Sequence, residues 1–230
     1  MASPVIVDTE RWARDRYHTV LGGKHVWKVD HDGIRISGEW GGGRRTKGEP
    51  TTLRAIRRNY DGIIWKYAQQ EQLEPWLLAA VIAVESGGRA EAEREEPKIK
   101  DVSIGLMQTL TATALGIAGS CDDEGHELRK LLPKVSVPHG GEVLAWRQAL
   151  CNPWTSIALG ARYLRMQDDR FSCQGDPVLI YACYNAGSLR TSKKNDWGVV
   201  SYGKAMDHFT RWYGDAKFVY HEAPELYDEQ

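Results

Sequence analysis

The stretch 78–88 places one carboxylate at the end of an apolar run that then breaks on two glycines. Leu78, Val81, Ile82 and Glu85 recur at helical spacing, so the Glu85 side chain is predicted to lie on or beside an apolar stripe. A carboxylate held against apolar surface is harder to ionise than one in water, and its pKa rises. A raised pKa suits a general acid that works near neutral pH. The structural alternative is that Glu85 is a solvated charge at a helix end, without a catalytic role.

Two further segments share this construction, in which an apolar helix meets a short polar stretch that contains glycine. One is Gly105-Leu106-Met107-Gln108, and the other is Cys183-Tyr184-Asn185-Ala186-Gly187. Glycine marks the point at which a helical pattern stops, so polar side chains are presented at the ends of helices. Together with Glu85-Ser86-Gly87, these segments form the candidate site.

The three motifs resemble the catalytic signature of the soluble lytic transglycosylases, a lysozyme-like family that cleaves peptidoglycan. The Glu-Ser, Gly-Leu-Met-Gln and Ala-Tyr-Asn-Ala-Gly elements of that family occur here in order, the last with Cys183 in place of alanine. Asn152-Pro153 resembles the family's approach to its third motif, and Tyr202 resembles a later tyrosine that helps to hold the catalytic acid. The resemblance covers roughly residues 55–213 and implies a lysozyme-like fold.

The resemblance implies cleavage of the β-1,4 bond between N-acetylmuramic acid and N-acetylglucosamine. One carboxylic acid protonates the leaving oxygen and then takes the proton from the muramoyl C6 hydroxyl, which attacks C1 and gives a 1,6-anhydro product. A second carboxylate is not needed, unlike in most glycosidases, because the nucleophile belongs to the substrate. Glu85 is the acid that we assign to this role, without a metal or an organic cofactor.

The resemblance also implies how the substrate is held. Gln108 and the backbone near Met107 are expected to hydrogen-bond the sugar or its acetamido group, and Tyr202 is expected to orient or desolvate the carboxyl. Ser86 is a candidate for holding the helix end, and Ser103 for positioning water or the acetamido carbonyl. The full predicted substrate-binding set is Ser86, Ser103, Met107, Gln108, Tyr184, Asn185 and Tyr202.

Two alternatives stay open at this stage. The interval between Glu85 and Gly105 is long and charged, and it contains Glu96 and Asp101. If Asp101 acted as a second carboxylate and activated water, the enzyme would be a hydrolase resembling goose-type lysozyme; a solvated loop charge is the other interpretation. The other alternative hypothesis is that the protein is a wall-binding module with the same fold and no catalytic activity.

Helices must position these motifs, and the apolar pattern from Thr51 onward is helical, which predicts a mainly α domain. Thr51 and Thr52 are candidate N-caps, and the charged segment 91–101 is predicted to be a loop. The predicted helices lie near 53–67, 75–85, 109–115, 124–132, 152–166, 176–184 and 200–212.

Residues 1–50 are predicted to form a small separate element, followed by the lysozyme-like domain at 51–220 and an acidic tail at 221–230. Apolar and polar residues alternate over 25–29 and 34–38 around Asp30-His31-Asp32-Gly33, which indicates a β-hairpin. This element either binds the wall or a partner, or covers the main domain.

The formal net charge of −1 does not favour nucleic acid or an anionic membrane as a partner. The resemblance implies peptidoglycan strands as the partner, and we expect a monomer. Membrane insertion is not expected, since no apolar run is long enough to span a bilayer. The first residues lack a basic segment followed by a long apolar one, so they do not read as a secretory signal. The expectation is synthesis in the cytoplasm and delivery to the wall through a holin, in a virion or by a dedicated secretion machine, with a phage endolysin favoured.

The four cysteines, Cys121, Cys151, Cys173 and Cys183, lack the spacing of a metal site. Cys151 and Cys173 flank one long predicted helix at opposite ends, which separates them too far for a disulfide. Cys121 with Cys151 is the pairing considered, and reduced thiols are the expected state.

Overall fold

The computed structural model describes residues 15–120, 127–132 and 143–222, and over these ranges the chain is mainly helical, as predicted. The helices are α1 (Thr51–Gln70), α2 (Pro75–Ser86), α3 (Thr111–Gly119), α4 (Glu127–Leu131), α5 (Val143–Leu150), α6 (Pro153–Phe171), α7 (Pro177–Ala186) and α8 (Ala205–Tyr220). The strands are β1 (Trp27–Asp30), β2 (Gly33–Ile36), β3 (Glu93–Glu96), β4 (Asp101–Ile104) and β5 (Thr109–Leu110).

Helix α2 lies at the centre of the core. Its residues from Leu77 to Ala83 are all buried, and the helix packs against α1, α6 and α8. A helix that is apolar on every side must be surrounded by other elements, because burial of each leucine, isoleucine or valine side chain contributes about 1.5–3 kcal/mol. The helix stops at Gly87, whose φ of 63° is left-handed and whose N–H donates to the Ala83 carbonyl.

The helices that follow begin at the predicted polar residues. The Asn152 side chain accepts hydrogen bonds from the first turn of α6, and the Asp176 side chain does the same for α7. Proline occupies the first turn of both helices, where its missing N–H has no consequence. At α1 the prediction was wrong: the N-cap is Pro50, without a side-chain hydrogen bond, and Thr51 already lies inside the helix.

The charged segment 91–101 is not the predicted loop. Strands β3 and β4 pair antiparallel with Arg94 opposite Ser103, and β5 pairs with the other edge of β4. All four residues of strand β3 are charged and its side chains are largely exposed, so the strand lacks the alternation by which a half-buried strand is recognised. The last helix also differs from expectation, since α8 starts at Ala205 and continues to Tyr220.

The predicted hairpin is present as β1 and β2, with Trp27 opposite Ile36. It is attached to the helical domain through a buried polar cluster. Nε2 of His18 lies 2.6 Å from Oδ2 of Asp176, and the Trp27 indole N–H donates to the same oxygen at 3.0 Å. Because Asp176 also caps α7, residues of the N-terminal segment fix the start of that helix.

The cysteines in the described ranges, Cys151, Cys173 and Cys183, are free thiols. The Sγ atoms of Cys173 and Cys183 lie 3.7 Å apart in the core. This proximity was not predicted from the sequence. Cys121, the pairing partner considered for Cys151, lies outside the described residues, as does the tail beyond Glu222. In the described ranges, every helix is too short or too polar to span a bilayer.

The buried cluster predicts that the N-terminal segment contributes to the stability of the whole domain. Trp27→Phe keeps the aromatic ring but removes the donor to Asp176, and should lower the free energy of unfolding by about 1–3 kcal/mol. Trp40→Phe is the matched control, because Trp40 is fully exposed, and should change stability by less than about 0.5 kcal/mol. Urea unfolding measures both; equal values for the two variants would contradict this attachment.

Candidate active site

Glu85 lies in the last turn of α2, and its carboxyl group meets α7. The Tyr181 hydroxyl donates to Oε1 of Glu85 at 3.0 Å. Burial raises the pKa of Glu85, while the hydrogen bond from Tyr181 and the positive charge of Arg94 offset part of that rise. The carboxyl group is therefore harder to ionise than one in water, yet it has a donor in place for its ionised form.

Tyr181 is the site residue that the sequence reasoning missed. It is buried within the apolar face of α7, and its ring stacks on Phe209 of α8 with centroids 4.2 Å apart. Burial and the neighbouring Glu85 carboxylate raise the pKa of Tyr181 well above its usual range, so the hydroxyl remains a donor. One signal was present: Tyr181 and Tyr184 are three residues apart and so share one face of the helix.

Tyr184 joins the third motif to the second. Its hydroxyl donates to the Met107 carbonyl at 2.5 Å, and the Met107 N–H donates to Oγ of Ser156 at 3.1 Å. The Met107 side chain itself is fully buried. Gly105 is required in this turn, because its φ is 82° and a Cβ there would lie 2.0 Å from the Leu150 carbonyl oxygen.

Gln108 is held by the same turn. Its amide nitrogen donates to the carbonyls of Ala92, at 2.9 Å, and Gly105, at 3.0 Å. The protein thus uses the amide donor, which leaves the amide oxygen as the group suited to accept from a sugar N–H or O–H.

Asn185 and Tyr202 are brought together, but not as expected. The Tyr202 backbone N–H donates to Oδ1 of Asn185 at 2.9 Å. The Tyr202 side chain is 67% exposed, so its ring lies on the surface and does not desolvate the carboxyl. The tyrosine that touches Glu85 is Tyr181, and Tyr202 instead fixes the polar end of α7.

The two predicted serines are used inside the protein. Ser86 is buried, donates from Oγ to the Ile82 carbonyl and accepts from the Gly88 N–H, which fits its expected role at the helix end. Ser103 is also buried, with its Oγ 3.5 Å from a carboxylate oxygen of Glu96. Neither hydroxyl is presented to a substrate in this arrangement.

Asp101 is engaged by a helix terminus. Its Oδ1 accepts from the N–H groups of Val102, at 2.7 Å, and Thr111, at 3.2 Å, and also from the Thr111 hydroxyl. Its Oδ2 accepts from the Ala112 N–H at 3.1 Å. The carboxylate thus caps α3 from a neighbouring strand and complements the partial positive charge at that helix start. The solvated-charge interpretation and the water-activation interpretation both fit these contacts poorly.

Comparisons with known proteins bear on these residues. The sequence model described as "Transglycosylase SLT domain" matches residues 62–198, a range that contains Glu85, Gln108, Tyr181 and Asn185. Curated proteins gave no match to the chain. Among solved structures, an inactive mutant of the lytic transglycosylase Slt from Pseudomonas aeruginosa is similar, with 20% identity and a TM-score of 0.47. The similarity covers 74% of this chain and 25% of that protein.

Removal of the hydrogen bond between Tyr181 and Glu85 should change the pKa of Glu85. The hydrogen bond lowers the pKa of Glu85, so Tyr181→Phe should raise that pKa further above its ordinary value. Carbon-13 NMR of labelled glutamate carboxyl groups should therefore show Glu85 titrating at higher pH in the variant than in the parent.

Tyr60→Phe is the matched control. It removes a hydroxyl that donates to the Gly88 carbonyl near the end of α2, and that hydroxyl is not the one bonded to the Glu85 carboxyl. An unchanged Glu85 titration in Tyr181→Phe, or an equal shift in Tyr60→Phe, would show that the Tyr181 hydroxyl does not tune the acid.

Proposed function

Because the chain belongs to the Transglycosylase SLT domain family, whose model matches more than half of its length, we propose that it is a peptidoglycan lytic transglycosylase. Family membership supports this class of activity in general. The observation that carries the specific proposal is the carboxyl group of Glu85, with its raised pKa and its donor Tyr181. The bond to be broken is the β-1,4 linkage between N-acetylmuramic acid and N-acetylglucosamine.

The first step uses the protonated form of Glu85. Burial keeps the proton on the carboxyl at a pH where an exposed glutamate would have lost it. This proton passes to the glycosidic oxygen as the bond from C1 to that oxygen breaks. The leaving N-acetylglucosamine departs with the proton, and positive charge develops at C1 of the muramic residue.

The second step uses the carboxylate that the first step created. Glu85 takes the proton of the muramoyl C6 hydroxyl, and O6 forms a bond to C1. The ring closes as a 1,6-anhydro product, and the carboxyl is protonated again without consuming water. The Tyr181 hydroxyl stabilises the ionised carboxylate between the two steps, because it can only donate to it.

The contacts of Asp101 support transglycosylation over hydrolysis. A hydrolase would need a second carboxylate to activate water on the other face of the sugar. Asp101, the residue considered for that role, already accepts hydrogen bonds at both oxygens from α3 and its own strand. The nucleophile is therefore assigned to the substrate.

We also propose a biological setting for this activity. The activity would open the bacterial cell wall, and the protein would reach that wall outside the cytoplasm through a holin, a virion or a secretion machine. A phage endolysin is the setting that we favour. Release of soluble muropeptides from purified walls is the property common to these settings.

Glu85→Gln tests the assignment of the acid. The amide keeps the size of the side chain but cannot exchange a proton, so the rate of release of soluble muropeptides from purified peptidoglycan should fall about 10²–10⁴-fold. The variant should remain folded near neutral pH, since it replaces a buried ionisable group with a neutral one.

Glu95→Gln is the matched control, because it removes an exposed carboxylate from β3, and it should retain the parent rate. If Glu85→Gln released muropeptides as fast as the parent protein, Glu85 would not be the acid.

A further inference from the structure

Two cysteine side chains meet in the core beside the helix that carries Tyr181. Cys173 lies in the turn between α6 and α7, and Cys183 lies in the last turn of α7. Their Sγ atoms are 3.7 Å apart, and the two residues are 1% and 0% exposed. Neither thiol takes part in the proposed reaction, so the mechanism leaves this close contact unexplained.

The separation of the two sulfur atoms is near that of a disulfide bond. Bonded sulfurs lie about 2.0 Å apart, so these two atoms would approach each other by about 1.7 Å. Cys173 belongs to the turn 172–176, in which its neighbours Ser172 and Gln174 are exposed. The turn can therefore move by this amount without displacing the core side chains of α7.

Metal binding is the other common use of paired thiols, and the surroundings of this pair do not favour it. A structural zinc site takes about four ligands. Among the residues that the structure describes, no third His, Cys, Asp or Glu side chain joins the pair at metal-ligand spacing. The other polar atom near Cys173 Sγ is the Gln167 carbonyl oxygen, at 3.9 Å. The arrangement is therefore suited to oxidation of the two thiols.

The fold controls when the thiols can react. Thiol–disulfide exchange requires a thiolate, and the contact with Cys183 together with burial raises the pKa of the Cys173 thiol. Access is from the side of the turn, because a cavity of about 480 Å³ is lined in part by Ser172, Gln174 and Gly175. Movement of this turn exposes Cys173 to a reagent while the rest of the core stays packed.

We propose that Cys173 and Cys183 form an intramolecular disulfide bond when the protein meets an oxidising environment, and that this bond fastens the turn 172–176 to α7. The oxidant is itself a disulfide, either a small molecule or a disulfide-exchange protein. The thiolate of one cysteine attacks the oxidant, forms a mixed disulfide and releases one thiol. The second thiolate attacks the protein sulfur of the mixed disulfide and releases the other thiol. Two protein thiols are oxidised, the external disulfide is reduced to two thiols, and the two protons pass to the leaving thiolates.

The bond would close a short loop at a point on which the active site depends. The loop contains Asp176, which caps α7 and is contacted by His18 and Trp27. A crosslink reduces the freedom of the unfolded chain and so stabilises the folded state. Disulfides persist outside the cytoplasm, where the enzyme is proposed to act. That setting rests on the proposed function, whereas the chemistry of the bond does not.

Formation of the bond is tested in a Cys121→Ser/Cys151→Ser variant, in which the pair are the remaining cysteines. The folded protein is incubated with oxidised glutathione, then unfolded with an alkylating reagent and digested with trypsin, which leaves both cysteines in the peptide 171–190. This peptide should escape alkylation and lack two hydrogen atoms relative to its thiol form. Alkylation of both cysteines, glutathione adducts or linked dimers in place of the internal bond would overturn the proposal.

Thermal unfolding shows whether the bond fits the native fold. The oxidised Cys121→Ser/Cys151→Ser protein should have a Tm about 5–10 °C above that of its reduced form, because the crosslink lowers the entropy of the unfolded chain. Cys183→Ala added to this variant is the matched control, since it removes the partner thiol, and the oxidant should leave its Tm unchanged. A Tm that stays the same or falls on oxidation of the pair, or that rises equally in the control, would contradict a native disulfide.

Neither measurement depends on turnover of a substrate. A protein that forms the bond and gains stability but releases no muropeptides would refute the proposed function and leave this inference intact. A protein that releases muropeptides but never forms the bond would do the opposite.

Discussion

The rest of the site depends on the burial of the Glu85 carboxyl, which lies at the end of a helix that is apolar on every side. Loss of hydration makes the ionised form costly, which gives the group the proton that an acid needs. The same loss would make the following carboxylate too unstable to act as a base. The Tyr181 hydroxyl and the positive charge of Arg94 act in the opposite direction and offset part of the rise in the pKa of Glu85.

This balance requires that Tyr181 be held rigidly, and the fold does so from both ends of α7. The start of α7 is capped by Asp176, which His18 and Trp27 contact from the N-terminal segment. The other end is fixed by the contact between Asn185 and Tyr202, while α8 stacks Phe209 on the ring between them. The N-terminal segment therefore supports the tyrosine that faces the acid, in addition to any role at the surface.

The sequence was sufficient to predict the mainly α class, the hairpin and the segments that form the candidate site, because these depend on local periodicity and short motifs. It could not reveal which tyrosine meets Glu85, since Tyr181 lies in an apolar run where a hydroxyl gives no local signal. The contacts of Asp101 could not be predicted either. Its partners at the start of α3 lie further along the chain and become its neighbours only when β4 pairs with β5. Strand β3 was missed because exposed charge on a short hairpin resembles a loop.

The origin of the nucleophile is the most direct test of a site with a single working carboxylate. Peptidoglycan is digested in water enriched in oxygen-18, and the muramic ends of the products are analysed by mass spectrometry. Attack by the C6 hydroxyl predicts 1,6-anhydro ends, which lack the elements of water and carry no heavy oxygen. Reducing muramic ends labelled with oxygen-18 at C1 would contradict the account, because a water molecule would then have been the nucleophile.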